Sequence, residues 1–394
     1  MSAEVKNGYK LTEVGVIPED WAVMTLGTVS EMSSGTTPSR SLMDRYYKNG
    51  SIAWVKTLDL NNSDICETDE CVTDLALKET CLRVNPIGTV LVAMYGGFNQ
   101  IGRTGLLRLP AAVNQAITAI HPFKGILLSD YLIRNINYRI DYWKRVASSS
   151  RKDPNITSKD IRDFPVACPK LQEQEAIAEV LSDADALIEY LEQLITKKHQ
   201  IKQGAMQDLL TGKKRLPGFS GEWEVKRLGD VVKVTKGQLI TEKNAISGHI
   251  PVIAGGKKPA YFHNKPNRTG KTITVSASGA SAGYVAFFDE PIFASDCSTI
   301  SEGNYSIEFI FSQFQLKQDI IYKAQTGGAQ PHIHAVDLMP IEIGVPTLSE
   351  QQAIAIILFD MDAEIDVLEG KLGKALQLKQ GMMHNLLTGK IRVV

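Results

Sequence analysis

Apolar residues recur at helical spacing through two long stretches of the chain, residues 171–216 and 348–393. In the first stretch the heptad a and d positions hold Ile177, Val180, Ala184, Leu187, Leu191, Leu194 and Ile201, with Leu181, Ile188 and Ile195 beside them. In the second stretch they hold Ile354, Ile357, Met361, Leu368, Ala375 and Leu378, with Leu358, Ile365 and Leu372 beside them. Such stripes predict two long helices that each pack along one partner. An antiparallel pair satisfies both stripes; the alternative is that each helix covers only its own domain.

The two stretches are also copies of each other. At a constant offset of 177 residues, and without a gap, they are identical at 25 of 46 positions. Both end in nearly the same octet, LLTGKKRL from Leu209 and LLTGKIRV from Leu386. Leu-Leu-Thr-Gly is typical of the end of a helix, because glycine often follows the last turn. The chain therefore contains a duplication, which sets its architecture.

The duplication extends to the segments that flank each helix. Early in each half, PEDWAVMTLGTV (residues 18–29) parallels SGEWEVKRLGDV (residues 220–231). Just before each helix, DPNITSKDIRDFPVACP (residues 153–169) parallels QPHIHAVDLMPIEIGVP (residues 330–346). The first octet is followed by the Trp-containing start motif, and the N-terminal segment supplies that motif for the second octet. The repeat is therefore circular, and we expect the chain ends to lie close together.

The regions between these motifs differ from each other and alternate short apolar runs with turn residues. SIAWVKTLDL, GTVLVAMYG and AVNQAITAI in the first region, and HIPVIAGG, KTITVSASGASAGYVAFF and PIFASDCSTI in the second, are typical of β-strands. Residues 129–147 and 306–324 each predict one helix. We therefore predict an α+β chain with four segments: a first domain at 1–170, a helix at 171–211, a second domain at 212–347 and a helix at 348–394.

Charge is distributed unevenly over these segments, although the net charge is only −1. Residues 171–211 carry 3 basic and 8 acidic side chains, whereas residues 212–347 carry 15 basic and 12 acidic ones. No acid occurs between Lys243 and Phe288, or between Glu79 and Asp130. Basic residues on Gly-rich loops are what contacts to phosphates and base edges require, so these stretches favour nucleic-acid binding over a merely solvated loop face.

Catalytic and metal-binding signatures are missing from the sequence. GGKKPA (residues 255–260) lacks the P-loop pattern, and no dinucleotide-binding, adenine-methyltransferase or Ser-His-Asp signature occurs. Cys66, Cys71 and Cys81 lack the spacing of a zinc site, and His332 with His334 is a weak metal candidate. We expect no catalytic residue, no metal site and no cofactor in this chain. The scattered cysteines and the polar N-terminus predict a cytoplasmic protein without a signal peptide.

The paired EQxAIA…LLTGKxR helices, the starts GVIPEDW and GFSGEW, and the loops SSGTTPSR (residues 33–40) and QTGGAQPHI (residues 325–333) resemble those of one family. The chain is similar, over essentially its whole length, to the specificity (S) subunits of type I restriction–modification systems. The resemblance implies two α/β target-recognition domains, each recognising one half of a bipartite, asymmetric DNA site, joined by two long antiparallel helices that act as a spacer.

The resemblance also implies partners. Two modification (methyltransferase) subunits would dock on the helices and bring S-adenosylmethionine, and two restriction subunits would add ATP- and Mg-dependent translocation and cleavage. The S subunit itself is not catalytic. Two alternatives remain open from the sequence: a protein-only scaffold, such as an anti-restriction or orphan adaptor, and a stand-alone DNA-modifying enzyme.

Candidate DNA contacts follow from matching the loops of the two halves. The loop SSGTTPSR of the first half has the counterpart TKGQLITEK in the second half. TKGQLITEK lacks Thr-Pro, so the sequence does not assign the same role to both loops. GGFNQIGRTG (96–105) matches SASGASAGYV (276–285), and SSSRKDPNI (148–156) matches TGGAQPHI (326–333). The predicted contacts are Lys56, Asn99, Arg103, Arg151, Lys152 and Asn155 in the first domain, and Lys257, Lys258, Tyr261, Arg268, Lys271, Ser278, Gln330 and His332 in the second.

Overall fold

The computed structural model describes residues 6–97, 99–147, 155–327 and 330–393. The chain divides into two compact units. Unit 1 comprises Met1–Tyr190 and Leu372–Val394, and unit 2 comprises Leu191–Lys371. Each unit therefore contains one region of short strands and parts of both long helices.

Unit 1 holds thirteen strands and six short helices within its described residues. The strands are β1 Tyr9–Thr12, β2 Gly15–Pro18, β3 Ala22–Thr25, β4 Ser30–Ser34, β5 Ile52–Val55, β6 Ser63–Ile65, β7 Cys71–Val72, β8 Val84–Asn85, β9 Val90–Ala93, β10 Thr104–Leu107, β11 Ala111–Val113, β12 Ile117–Pro122 and β13 Pro165–Cys168. The helices are α1 Leu26–Val29, α2 Met43–Tyr46, α3 Asp74–Glu79, α4 Ser129–Tyr138, α5 Asp141–Val146 and α6 Ser158–Arg162. They are followed by the first long helix, α7 Leu171–Leu209.

Unit 2 repeats this plan with fewer elements. Its strands are β14 Glu224–Arg227, β15 Val234–Lys236, β16 Ile250–Ile253, β17 Tyr261–His263, β18 Thr272–Ser276, β19 Val285–Phe288, β20 Phe293–Ala294, β21 Cys297–Ser301 and β22 Glu342–Val345. Its helices are α8 Leu228–Val231, α9 Ile307–Leu316, α10 Gln318–Lys323 and α11 Ala335–Leu338, and the second long helix is α12 Leu348–Leu387.

The sheets of the two units have the same strand order at their centres. In unit 1, β4-β12-β9-β10 continues to β6, and in unit 2 the matching order is β15-β21-β18-β19. A second sheet contains a parallel pair in both units, β5 with β11 and β16 with β20. A two-stranded sheet joins the start of each strand region to its end. It consists of β3 and β13 in unit 1 and of β14 and β22 in unit 2. The predicted strands are therefore confirmed, and the α+β class with them.

Each predicted helix of the strand regions is in fact two helices. The backbone leaves the helical conformation at Arg139, between α4 and α5, and at Lys317, between α9 and α10. In unit 1 the break allows Trp143 of α5 to stack on Phe164 with ring centroids 5.0 Å apart. Continuous helical periodicity on both sides of the break concealed it in the sequence.

The long helices pair antiparallel, as predicted. In unit 2, Lys198 lies 2.6 Å from Glu364 and Lys202 lies 2.5 Å from Asp362, so residue numbers rise along α7 as they fall along α12. In unit 1, α7 and α12 are joined by an ion pair between Asp185 and Lys379. The helices are 39 and 40 residues long.

The predicted heptad register is right at its a positions and wrong at three of its d positions. Leu187, Ile201 and Leu378 are exposed by 49%, 46% and 62%. The buried seam combines the predicted a positions Ile177, Leu191, Ile354 and Leu368 with the residues beside the stripe, namely Leu181, Ile188, Ile195, Leu358 and Ile365, and with Lys202. Apolar character favoured Ile201 over Lys202 as the seam residue. Lys202 lies in the seam nevertheless, because Asp362 neutralises the charge of its ammonium group.

The octets explain the circular repeat. In unit 1, Arg392 of the second octet bonds Glu173 and Asp20, and Trp21 Nε1 donates to Glu173 Oε2 at 3.1 Å. Tyr9 Oη also donates to the Gly389 carbonyl at 3.0 Å, so the described parts near both chain ends are in contact as predicted.

The same cluster occurs in unit 2 with the other octet. Arg215 lies 2.7 Å from Glu350, and Trp223 Nε1 donates to Glu350 Oε2 at 3.3 Å. Both glutamates are 2% exposed. Leu386 and Leu387 join the core of unit 1, whereas Leu209 and Leu210 join that of unit 2. Each octet thus completes the core around the start of the other long helix. The second octet packs with the start of α7 in unit 1, and the first octet packs with the start of α12 in unit 2.

Candidate nucleic-acid interface

A crossing loop is built identically in the two units. In unit 1 the amide of Gly35 donates to the Ile117 carbonyl at 3.3 Å and that of Thr36 to the Val113 carbonyl at 2.9 Å. In unit 2 the amide of Gly237 donates to Cys297 at 2.8 Å and that of Gln238 to Ala294 at 2.9 Å. SSGTTPSR and TKGQLITEK are therefore structural counterparts, although only the first contains Thr-Pro.

Glycine is required where this loop crosses the strand turn. A Cβ atom on Gly35 would lie 2.1 Å from the carbonyl oxygen of Asn114, and one on Gly237 would lie 2.2 Å from that of Ser295. Both distances are far inside van der Waals contact, so any side chain would push the loop away from the turn. The two glycines are the conserved element of an otherwise different loop in the two copies.

Two further loops meet the same turn. The hairpins β9–β10 and β18–β19 correspond, because Gly102 donates to Ala93 at 2.9 Å and Gly283 donates to Ser276 at 2.8 Å. The segments before the long helices also correspond, since Ile156 donates to Met94 at 3.1 Å and Ile333 donates to Ala277 at 3.0 Å. The sequence matches of these segments are confirmed over the residues that the structure describes. Asn155 and His332 consequently occupy equivalent positions.

In unit 2 these loops surround an open cleft of about 470 Å³. Three of the predicted contact residues line it together: Tyr261, Ser278 and His332. The other lining residues are Lys236, Leu239, Ile240, Thr241, Glu242, Ala254, Ala277, Ser295, Asp296 and His334. The cleft therefore brings together three of the eight residues predicted in the second domain.

Hydrogen bonds hold the side chains of the cleft in defined orientations. Ser278 Oγ donates to a carboxylate oxygen of Asp296, and the backbone of Ser278 pairs with that of His332. The His332 and His334 rings lie 6.4 Å apart and nearly parallel, at 7°. Tyr261 Oη donates to the Ile240 carbonyl at 2.5 Å, and burial raises the pKa of Tyr261. Hydrogen-bond donors, hydrogen-bond acceptors and aromatic rings thus line one cleft.

Lys257, Lys258 and Gln330 are the exposed members of the predicted set in unit 2. The Lys257 Nζ lies 5.4 Å from the centroid of the Tyr284 ring, a cation–π distance. Both lysines line a smaller recess next to the cleft. No ion pair involves either lysine within the described residues, so both charges are available to an anionic ligand.

Arg268 and Lys271 are engaged inside unit 2. Arg268 donates to Thr299 Oγ1 at 3.0 Å and to the Lys236 carbonyl at 3.1 Å. Lys271 Nζ lies 2.5 Å from Glu308 Oε1, and this hydrogen bond raises the pKa of Lys271. Their position in an acid-free stretch of sequence did not reveal these partners, which come from other strands and from α9.

Lys56 of unit 1 is engaged in the same way. Its Nζ lies 2.8 Å from Glu70, and the hydrogen bond to Glu70 raises the pKa of Lys56. Glu70 also binds Arg40 at 2.7 Å, and the Arg40 guanidinium lies 4.4 Å from the Tyr47 ring centroid and 5.1 Å from that of Trp54. The cluster fastens the end of the crossing loop to the sheet.

Three further predicted residues of unit 1 lie within the described ranges. Asn99 is exposed, and its carbonyl accepts a hydrogen bond from Arg103 Nε at 2.9 Å. Asn155 is half-buried, and the amide of the next residue, Ile156, donates to the Met94 carbonyl. Arg151 and Lys152 lie outside the described residues. Unit 1 therefore brings Asn99 and Arg103 together, on the hairpin that corresponds to β18–β19.

Two residues of this surface were missed by sequence analysis. Asp296 lines the cleft of unit 2, and Gln115 is exposed on the corresponding turn of unit 1, where it accepts a hydrogen bond from Thr37. Neither belongs to a basic stretch, which was the signal used. The sequence nevertheless carried a usable signal, because Asp296 and Gln115 each lie in the short turn between two apolar strands.

Within residues 6–97, 99–147, 155–327 and 330–393, no three His, Cys, Asp or Glu side chains are grouped so as to hold a metal ion. No helix there combines the length and apolar character that crossing a membrane requires.

Known proteins show the same organisation. The chain is 30% identical over 250 residues to the type I restriction enzyme MjaIX specificity subunit of Methanocaldococcus jannaschii, an alignment that covers 58% of this chain and 55% of that protein. It is 24% identical to the putative MjaX specificity subunit of the same organism, covering 98% of this chain and 97% of that one.

Solved structures share the fold. An S subunit of a type I restriction–modification system from M. genitalium matches with a TM-score of 0.69 at 15% identity, covering 98% of both chains. A chain from a structure concerned with the assembly of the type I R-M system matches with a TM-score of 0.54 at 15% identity, covering 95% of this chain and 99% of that chain.

The family model for the type I restriction modification DNA specificity domain matches twice, at residues 18–202 and 220–377. Each match begins at a start motif and extends into a long helix, as the duplication does. The chain belongs to the type I restriction modification DNA specificity domain family.

Proposed function

We propose that this chain is the DNA-recognition subunit of a type I restriction–modification complex. The observation that carries the proposal is the repeated four-part scaffold, in which crossing loop, strand turn, hairpin and pre-helix loop have the same backbone bonds but different side chains. Two copies of one scaffold with different side chains suit a bipartite, asymmetric site. Residues 1–170 and 212–347 would each recognise one half-site.

The helical segments 171–211 and 348–394 would set the spacing of the half-sites and dock two modification subunits. The recurrence of the Lys202–Asp362 pair as Lys379–Asp185 supports this part, because it shows that the helix pair is itself duplicated, and a duplicated helix pair suits two copies of one partner. Two ATP-dependent restriction subunits would complete the complex. S-adenosylmethionine, ATP and Mg would bind the partner subunits, this chain would not be catalytic, and the complex would act in the cytoplasm.

We infer from side-chain exposure which of the predicted residues would meet DNA. Lys257, Lys258, Asn99 and Gln330 are exposed, so they need no rearrangement to contact phosphates or base edges. Arginine and lysine would contact guanine, and asparagine and glutamine would contact adenine. Lys56, Arg268 and Lys271 would need to break internal bonds first, so we assign them to holding the loops in position.

Methylome sequencing tests the proposal directly. A host that expresses this chain with its modification partner should acquire adenine methylation at one bipartite motif, and omission of this chain should abolish it. The purified complex should also bind that motif in a salt-dependent manner. A protein-only scaffold would leave the DNA unmethylated and unbound. Methylation by this chain alone with S-adenosylmethionine would instead support a stand-alone enzyme.

A further inference from the structure

Asp296 places a carboxylate in the cleft of unit 2. It lies on the turn between β20 and β21 and is half-buried. Its side chain accepts a hydrogen bond from Ser278 Oγ, and its backbone carbonyl accepts one from the amide of Ala277 at 3.1 Å. The hairpin between β18 and β19 therefore holds both the side chain and the backbone of Asp296. Among the described residues only Ser278 bonds the carboxylate, so its other oxygen can accept from a ligand.

The charge of Asp296 is unusual for its surroundings. Within the described residues it has no ion-pair partner, while Lys236 lines the same cleft and Lys257 and Lys258 line the adjoining recess. Glu242, a second carboxylate at the cleft, is exposed. A half-buried carboxylate repels phosphates, so it weakens DNA binding unless it accepts a hydrogen bond from the bound molecule. Bases provide such donors in the major groove, at cytosine N4 and adenine N6.

Unit 1 presents different chemistry at the corresponding turn. The carbonyl of Ala116 accepts from Met94 at 2.8 Å, as that of Asp296 accepts from Ala277. The turn of unit 1 contains one additional residue, Gln115, whose exposed amide is bonded by Thr37. An amide both donates and accepts, whereas an ionised carboxylate only accepts. The turn therefore carries the kind of difference that distinguishes one half-site from the other.

We propose that Asp296 recognises the exocyclic amino group of one base, cytosine N4 or adenine N6, in the half-site bound by unit 2. Ser278 is the positioning residue that orients the carboxylate. The inference rests on the proposed function, because it requires the cleft to face DNA. It makes a demand of its own: the preference at one base pair of that half-site must depend on the Asp296 carboxylate, which accepts from the adenine N6 or cytosine N4 of that pair.

The test uses the complex of the full chain with its modification partner and a pool of duplexes in which one half-site at a time is randomised. The wild-type complex should prefer one of the four base pairs, in one orientation, at the position of the half-site that faces Asp296. Asp296→Asn retains the size of the side chain and can still accept from Ser278, but its amide can also donate to thymine O4 or guanine O6. The preference at that position should fall by about 5- to 100-fold, and the other half-site should not change.

Two further variants make the outcome decisive. Ser278→Ala should weaken the preference at the same position to a smaller extent, because the carboxylate loses its orientation. Asp289→Asn, an exposed acid outside the cleft, is the matched control and should leave every position unchanged. Unchanged selection by Asp296→Asn at every position of the half-site would overturn the inference while leaving the proposed function standing. Absence of any sequence-specific binding by the wild-type complex would overturn both.

Discussion

Lys202 Nζ lies 2.5 Å from Asp362 Oδ1 in the seam between the long helices, and Lys379 with Asp185 repeats this pair at the matching positions of the other copy. The Lys202 side chain is only 11% exposed. A lysine in an otherwise apolar seam is tolerated only opposite its carboxylate, so the pair fixes the register in which the helices meet.

Removing the lysine tests this role. Lys202→Met retains the length of the side chain but leaves Asp362 without its partner, and we expect unit 2 to lose about 1–3 kcal/mol in urea unfolding. Lys213→Ala is the control, because Lys213 is 79% exposed in its pair with Asp208 and should cost under about 1 kcal/mol. Equal stability of both variants would show that the seam pair does not fix the register.

The glycines of the crossing loops should each control one half-site. In Gly237→Ala the new methyl group would lie 2.2 Å from a backbone oxygen, so unit 2 should be destabilised by about 1–3 kcal/mol and recognition of its half-site should weaken. Gly35→Ala should do the same to the other half-site. Gly221→Ala has no atom within 4 Å of the added group and serves as control. A variant at Gly35 or Gly237 that binds both half-sites normally would contradict this assignment.

Thiol reactivity should separate the five cysteines. Burial raises the pKa of Cys168 to about 11 and that of Cys297 to about 12, so both remain protonated at pH 8. In a colorimetric thiol assay the exposed Cys66 and Cys81 should react rapidly and the half-buried Cys71 more slowly. Cys168 and Cys297 should react only after denaturant is added. Rapid modification of all five in the native protein would contradict the two cores.

The exposed lysines of unit 2 should account for phosphate contacts. Each Lys–phosphate contact contributes about 0.9 to the slope of log K against log salt. In the assembled methyltransferase, Lys257→Ala with Lys258→Ala should therefore flatten the slope by about 2 units and weaken binding. Lys271→Ala removes a lysine that is already paired with Glu308, so its slope should remain that of the wild type. An unchanged slope in the double variant would remove both lysines from the DNA interface.

The architecture was predictable because the sequence contains a duplication. The constant offset of the helices and the circular start motif identified the helix pair and the contact between the chain ends. The heptad register was not predictable from apolar spacing, because Lys202 is accommodated by a residue 160 positions away. The helix breaks at Arg139 and Lys317 were not predictable either, because the helical spacing of apolar residues continues across them.

The candidate site was predictable only in part, for a related reason. Basic residues mark a surface, yet the sequence does not show which of them are already bonded. Arg268 bonds residues of distant strands and Lys271 pairs with Glu308 of α9, whereas Lys257 and Lys258 have no ion-pair partner within the described residues. Asp296 and Gln115 were missed because a turn residue gains its role from the loops that fold over it.

If each unit recognises its own half of the DNA site, exchanging one unit should change only one half. Residues 222–345 are replaced with the equivalent region of a relative, and the methylome of a host that expresses the hybrid with the modification partner is sequenced. We expect a new bipartite motif in which one half and the spacing are unchanged and the other half becomes that of the relative. A motif altered in both halves would contradict this expectation.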